Sequence, residues 1–435
     1  MPRNPGGQGA TPQATYPAWV TTLRLHGEGA DDQSRGGVRT LAEVLGVHGG
    51  AEHGGAGLRV RGLYAHVPFC FHKCHYCDFY SFVDREGRSG AFLDRFEADV
   101  AWACERIEGE IDTVFVGGGT PTLLTADELR RLTAAIARLP LARGAEWTVE
   151  ANPETIDREK ADVLAAGGVN RVSIGAQSFD PKHLKTLERW HDPANVARAA
   201  ETLRAAGLSN FNLDLIFGVP GQTLGEWRDD LAQALALRPE HLSCYGLTYE
   251  PNTAMTKRLQ KGEFDPCDDE VEATMYDATR ATLSAAGFAQ YEISNYARTG
   301  RECRHNLIYW RNEPWWAIGP SASGFVAGHR FKVVPRLGDW LARGVEAGGD
   351  GSQPVVDVEP PDEKRHTSEA LMLGLRLMEG IDAALERRAV ELEPARAAVF
   401  ARAIADGLLE RTSQGRVRFT HRGAALANEV LQDLV

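Results

Sequence analysis

Between residues 61 and 247 the chain repeats one rhythm about six times: a short β-forming run, then a longer amphipathic stretch. The runs fall at 62–67, 112–116, 146–151, 171–175, 211–217 and 241–247. Helical periodicity marks the stretches between them, among them 91–106, 126–138, 155–167, 193–206 and 223–236. Strands alternating with helices build a parallel sheet with the helices packed outside. Crossovers of one hand curl that sheet, so the pattern predicts an α/β fold with a full or partial TIM-like barrel.

Two of the strands show what the barrel would hold inside. Side chains alternate across a strand. In 146–151, Trp147, Val149 and Ala151 share one face, and Thr148, Glu150 and, just beyond, Asn152 share the other. In 211–217, Asn212 and Asp214 stand opposite Phe211, Leu213, Leu215 and Phe217. A parallel sheet is covered on both faces, so the polar side looks into a cavity rather than bulk water.

The flanks divide the chain further. Residues 1–57 carry 13 of the 45 glycines among their first 60 positions and read as a disordered extension, in which only 38–48 has the pattern of a short helix. Residues 58–290 hold the barrel, with a helix near 268–286. Residues 291–355 read as a connecting segment. Residues 356–435 suggest a C-terminal α+β, winged-helix-like domain whose wing pairs Leu409–Arg411 with 416–419.

Chemistry concentrates where the strands end, which is where βα barrels place their sites. After the first strand come Cys70, Cys74 and Cys77, spaced C-x3-C-x2-C. Three thiolates on one loop can hold three irons of a [4Fe–4S] cubane and leave the fourth iron open. Structural zinc is the competing reading, but it asks for four N/S ligands, and no second C-x2-C pair is present. After the second strand comes Gly117-Gly118-Gly119-Thr120-Pro121, which lets a ligand approach the backbone and bind its polar groups. Glu150, Gln177, Arg189 and Asp214 add carboxylates, an amide and a cation at successive strand ends. Taken singly, each of these four is read equally well as a structural hydrogen-bond partner.

Together these segments resemble the radical S-adenosylmethionine (SAM) superfamily: the three-cysteine loop with Tyr76 before its last cysteine, and the Gly-Gly-Gly-Thr-Pro run. His66-x-Pro68-Phe69-Cys70, Arg189-x-His191, Asn212-x-Asp214-Leu215-Ile216, Leu247-Thr248-x-Glu250-Pro251 and Tyr309-Trp310 narrow the resemblance to the oxygen-independent coproporphyrinogen III oxidase family, over residues 60 to 430. The resemblance implies that Cys70, Cys74 and Cys77 bind the [4Fe–4S] cluster and that SAM chelates the remaining iron for one-electron cleavage. By the same likeness Tyr64, Tyr76, Gly118 and Glu150 contact SAM. Gly119, Thr120, Gln177, Arg189 and Asp214 line SAM or a second SAM-like site.

That family includes decarboxylases and heme chaperones. Decarboxylases add a fourth cysteine two places after the third; here Asp78-Phe79 follows Cys77, as in the chaperone branch. His305-Asn306-x-x-Tyr309-Trp310 resembles a motif associated with heme binding in that branch, which makes His305 the expected axial ligand, with Cys303 as competitor. The resemblance therefore implies heme and a heme-accepting protein as partners, with an electron donor such as a flavodoxin or ferredoxin. The oxidase reading stays as the alternative. Two departures stand out. Gly319-Pro320-Ser321-Ala322-Ser323 replaces a Gly-x-Gly-Ala turn. Glu188 replaces a glycine, with little effect expected.

Charge narrows the remaining classes. Lys and Arg total 48 against 60 Asp and Glu, which disfavours broad binding to nucleic acid or an anionic membrane, although a local patch for peripheral membrane contact stays open. Arg411, Arg416, Arg418 and Arg422 on the wing are read as a solvated hairpin rather than a DNA contact. No apolar run reaches the roughly 20 residues of a spanning helix. Seven cysteines without a compact framework point to reduced thiols and a cytoplasmic location.

Overall fold

The structure is a computed structural model that describes residues 37–47, 57–343 and 351–435. In chain order its strands are β1 (Arg39–Thr40), β2 (Gly62–Val67), β3 (Ile111–Gly118), β4 (Leu141–Ala151), β5 (Arg171–Gln177), β6 (Phe211–Phe217), β7 (His241–Gly246), β8 (Ala289–Gln290), β9 (Asn295–Ala297), β10 (Trp315–Ile318), β11 (Ser323–Val326), β12 (His329–Val333), β13 (Pro354–Glu359), β14 (Leu409–Arg411) and β15 (Val417–Phe419). Thirteen of them form one sheet in the order β1-β13-β12-β11-β10-β2-β3-β4-β5-β6-β7-β9-β8. Strands β2 to β7 run parallel in sequence order, as the βα rhythm predicts. The ends of this row do not pair with each other, so the barrel is partial.

Local chemistry sets the helix starts. Thr125 with Glu128, and Thr223 with Glu226, form reciprocal capping boxes at helices 126–136 and 224–236. The helix expected from 155 begins instead at Arg158, because Pro153–Thr155 makes a 3-10 turn and Asp157 caps the Lys160 N–H. Trp147, Val149, Ala151, Phe211, Leu213, Leu215 and Phe217 all enter the main apolar core between sheet and helices. Their polar neighbours are left on the concave side, as alternation requires.

One expectation about the flanks needs correction. Residues 291–355 are no mere connector. Strands β10 to β13 continue the barrel sheet, with β10 parallel to β2 through Trp315↔Gly62 and Ile318↔Ala65. The short helix expected within 38–48 is present as Leu41–Leu45. β1 pairs with β13, Thr40 and Glu43 form a capping box, and Leu41 and Ala42 are fully buried in the main core. Burial of two apolar side chains outweighs the glycine-rich surroundings locally. Positions 1–36 and 48–56 lie outside the described residues.

The C-terminal part has its own apolar cluster, in which Leu371, Leu375, Phe400 and Leu431 pack with Leu409 and Val417 of the β14–β15 hairpin. Trp310, Leu373 and Leu377 join it to the barrel. The hairpin arginines are paired within the fold. Arg411 meets Glu386 at 2.6 Å, Arg418 meets Glu410 at 2.7 Å, and Arg416 Nε donates to the Glu379 carbonyl at 2.9 Å. Among the described residues, no helix is long and apolar enough to cross a membrane.

Candidate functional site at the cysteine mouth of the barrel

The cysteine loop leaves β2 at Val67 and is closed on itself. The Cys70 N–H donates to the Phe82 carbonyl at 2.9 Å, and the Phe82 N–H returns to Pro68 at 3.0 Å. The glycine run after β3 then clamps the loop from the side. Gly119 N–H reaches Val67 O at 2.8 Å and Thr120 N–H reaches Phe69 O at 2.7 Å. Such closeness needs glycine: a Cβ on Gly119 would stand 2.6 Å from the Phe69 carbonyl. Gly118 takes φ +105 and its missing side chain makes room for the His66 ring. His66 is itself fixed, with Nδ1 2.9 Å from the Tyr64 hydroxyl and Nε2 2.8 Å from the Tyr80 carbonyl.

The far side of the loop is held by the other strand ends. His75 N–H donates to Leu187 O at 3.3 Å, and Met255 N–H donates to His75 O at 2.9 Å. The Tyr76 ring packs among Leu187, Ile216, Val219, Leu247 and Met255. All three loop cysteines are free and half-buried. Burial pushes the Cys77 thiol up to about 11, and the nearby Lys73 ammonium pulls against it. Arg189 Nη1 lies 3.7 Å from Cys74 Sγ, and Thr120 Oγ1 lies 3.7 Å from Cys70 Sγ. Soft sulfur donors beside two cations are the setting that three metal-bound thiolates need. The other four cysteines of the chain are not on this loop: Cys303 contacts Glu146, Cys244 is in the core, Cys104 ends the helix Ser89–Cys104, and Cys267 packs beside Gly218 just past β6.

Glu150, Gln177, Arg189 and Asp214 form the wall facing this loop. Glu150 Oε2 accepts the Gly118 N–H at 2.9 Å. Asp214 Oδ2 accepts Ser173 Oγ at 3.0 Å and Oδ1 accepts Asn212 Nδ2 at 2.7 Å. Burial and then the Asp214 charge raise the Glu150 carboxyl to about 7, and burial raises Asp214 as well. Two enclosed carboxylates in mutual repulsion favour a ligand bearing hydroxyls or an ammonium. Arg189 Nη2 donates to Gly175 O at 2.9 Å. Gln177 adopts φ 63, a left-handed backbone outside glycine's usual territory, just past a register shift between β5 and β6. Such strain at the end of a barrel strand persists only where the surroundings hold it.

The comparisons with known proteins bear on this arrangement. The Radical SAM superfamily is matched over residues 64–234, which include the cysteine loop, the glycine run and Asp214. A heme chaperone HemW from Bacillus subtilis is 35% identical over 376 residues, covering 85% of this chain and 98% of that protein. This chain belongs to the HemW family of radical SAM proteins. A HemW from Mycobacterium tuberculosis is 37% identical over 380 residues, covering 86% of this chain and 94% of its own. In three dimensions the coproporphyrinogen III oxidase HemN from Escherichia coli, described as a radical SAM enzyme, superposes with TM-score 0.74 at 20% identity over 86% of this chain and 90% of its own. At that identity the likeness shows the fold.

Within this HemW-family chain the structure gathers every expected site residue but one. Gly119, Thr120 and Arg189 contact the cysteine loop, which carries Tyr76; Glu150 joins through Gly118, Gln177 stands with Arg189 beside Gly175, Tyr64 bonds His66, and Asp214 acts on Glu150. His305 does not join them. It lies in the helix Arg304–Trp310, under the opposite, N-terminal ends of β3 and β4, and is fully buried. Its Nδ1 is 2.7 Å from Thr113 Oγ1, its Nε2 is 2.8 Å from the Tyr309 hydroxyl, and its N–H donates to Glu146 Oε1 at 3.0 Å. Both ring nitrogens are thus hydrogen-bonded, and the side chain is fully buried. Cys303, the expected competitor, is buried in the same place with its Sγ 3.6 Å from Glu146 Oε1.

Several site residues escaped the sequence reading. Tyr245 is 37% exposed although it lies on the barrel strand β7, next to the core residue Cys244; it faces the cavity and shows that water reaches it. Alternation along β7 carried that signal. Lys73 ties the Phe79 carbonyl and, at 3.0 Å, Ser81 Oγ beyond the last cysteine. Glu188 takes φ +51, so the glycine usual at this position has a steric reason, and the substitution costs more than expected.

Proposed function

We propose that this protein is a heme chaperone: it binds a [4Fe–4S] cluster through Cys70, Cys74 and Cys77, binds SAM and heme, and passes heme to an acceptor protein. Similarity to the Bacillus subtilis heme chaperone over 98% of that protein's length carries the reading. The loop ending in Asp78-Phe79, with no fourth cysteine beside it, agrees. The three sulfurs suit a cubane with one open iron. A cluster held there supplies one-electron transfer to a bound sulfonium, fed by a donor of the flavodoxin or ferredoxin class.

The chain's own residues account for the rest of the binding. Glu150 and Asp214 offer carboxylates to the hydroxyl and ammonium groups of SAM. Gly118, Gly119 and Thr120 bring backbone close enough to contact its amino-acid end. Arg189 offsets charge on Cys74 while holding the end of β5 through Gly175. Gln177 and Tyr64 close the sides, and the backbone of the Tyr76 turn faces the adenine.

The test is anaerobic reconstitution followed by heme titration and product analysis in the same samples. The expected outcome is cubane iron, stoichiometric heme uptake and no decarboxylation of coproporphyrinogen III. Decarboxylation at catalytic rates would replace this reading with the oxidase one. Zinc in place of iron in the three-cysteine site would remove both.

A further inference from the structure

One buried histidine has no part in the site described above. His183 lies in the short helix Pro181–Thr186, which follows β5, and its side chain has no exposure. Neither of its ring nitrogens has a hydrogen-bond partner. Buried polar atoms are almost always paired, so this imidazole asks for a ligand. Its Nε2 stands 3.4 Å from Glu226 Oε2 and 3.8 Å from Asp180 Oδ2, and neither contact is a hydrogen bond.

The spacing says what kind of ligand. Bonds of about 2.0–2.2 Å to zinc, at tetrahedral angles, set neighbouring ligand atoms about 3.3–3.6 Å apart. One donor atom from each of Asp180, His183 and Glu226 lies within 4.8 Å of the other two. Closing the set round an ion asks only that Asp180, a partly exposed side chain, draw in. One imidazole with two carboxylates suits zinc, whereas calcium and magnesium take oxygen ligands. Asp180 Oδ1 accepts the Lys182 N–H at 2.7 Å, which leaves Oδ2 facing His183. Glu226 Oε2 is anchored by the Thr223 N–H at 2.7 Å. Lys182 Nζ, 3.2 Å from Glu226 Oε1, belongs to an exposed side chain that can yield its place.

We propose that Asp180, His183 and Glu226 form a zinc site, with water as fourth ligand, that ties the helix after β5 to the helix Leu224–Ala236 after β6. Zinc on Nε2 answers one of the two unmet nitrogens. The ion strengthens a tie already present, in which Asp230 accepts the Ser178 hydroxyl at 2.8 Å and the Phe179 N–H at 2.7 Å. What the tie steadies is the support of the cysteine loop. Leu187 and Arg189 come straight after the short helix; Leu187 O accepts the His75 N–H at 3.3 Å, and Arg189 Nη1 lies 3.7 Å from Cys74 Sγ. The inference is independent of the heme-chaperone reading.

The full-length chain, its cluster rebuilt anaerobically so that iron fills the cysteine loop, is titrated with zinc chloride. Calorimetry reads the affinity, and metal analysis after desalting reads the stoichiometry. One zinc per chain beyond the iron is expected, together with a higher melting temperature. His183→Ala should weaken zinc binding about tenfold or more. Asp180→Asn should do the same, and it keeps a good helix cap, so a folding defect in the first variant would not decide the matter. In neither variant should zinc raise the melting temperature. Zinc uptake that is equal in wild type and both variants overturns the inference, because the ion is then held elsewhere. A wild type that takes up no zinc overturns it too, and leaves His183 as the partner of Glu226 in an ion pair.

Discussion

At the cysteine mouth Glu150 has a single N–H donor beside it, Arg189 Nε has no partner, and three thiols form no disulfide. At the opposite mouth Glu146 accepts the N–H groups of both Arg304 and His305 at 3.0 Å, and His305 has a partner on each ring nitrogen. The side chains are alike: a carboxylate, a cation or imidazole, a sulfur. The carboxylates differ, with two backbone donors on Glu146 and one on Glu150, whereas a buried guanidinium Nε without a partner occurs at both mouths, Arg189 at one and Arg171 at the other. Polar groups that complete one another hold a fold together, whereas groups left partly unmatched in an enclosed space are held ready for something else. The helix Arg304–Trp310 plugs the one mouth, and the function proposed above makes the cysteine end the working face.

The contrast can be broken most directly with its two carboxylates. Glu146→Ala strands two backbone N–H groups under the plug and should destabilise the chain by about 3 kcal/mol, since each unpaired buried donor costs about 1–3 kcal/mol. Urea unfolding measures this. Glu150→Gln should leave the chain no less stable at pH 7 while weakening SAM binding about tenfold, a loss of about 1.4 kcal/mol readable by calorimetry. If the two variants exchanged phenotypes, the assignment of working face and plug would be reversed.

Protonation sharpens the same contrast. The Glu150 carboxyl sits at about 7 in the fold against 4.5 when unperturbed. Between those values the folded chain holds more protons than the unfolded one, so this group's contribution to stability falls as pH rises through the window. Glu150→Gln has no such proton to lose. Ligand-free variant should therefore gain melting temperature over wild type as pH climbs from 4.5 to 7. A difference that stays flat across this range would show that Glu150 is not charged against its surroundings.

The smallest effect concerns the rim. Glu188→Gly relieves a left-handed backbone at φ +51 but gives up the hydrogen bond to Trp190. The net gain should be about 0.5 kcal/mol, because relief of positive φ slightly exceeds the added freedom of the unfolded glycine. A loss of stability in the same unfolding assay would show that the Trp190 contact outweighs the backbone strain.

Much of this was legible beforehand, and for identifiable reasons. Glu150 and Asp214 were placed on the cavity side by two-residue alternation alone. The Cys70, Cys74 and Cys77 trio was readable because ligand spacing along a loop is local. The place of His305 was not legible, because its likeness to a heme motif says nothing about which mouth its helix covers. One local signal pointed the other way: His305 and Tyr309 are four apart, the spacing at which helical side chains meet, and they do so at 2.8 Å. Strands β10 to β13 escaped because Trp315–Ile318 finds its partner, β2, some 250 residues earlier in the chain, and no periodicity encodes such a pairing.

The sequence by itself determined the alternation of strands and helices from 61 to 247, hence the parallel order of β2 to β7, and the spacing of the three-sulfur loop. Each of these rests on contacts or repeats close along the chain. Only the tertiary structure decided which polar groups are already satisfied: that His305 bonds Thr113 and Tyr309, while Glu150 has one backbone donor at Gly118. Satisfaction is a property of what surrounds a buried atom, and those surroundings come from segments far apart in the chain.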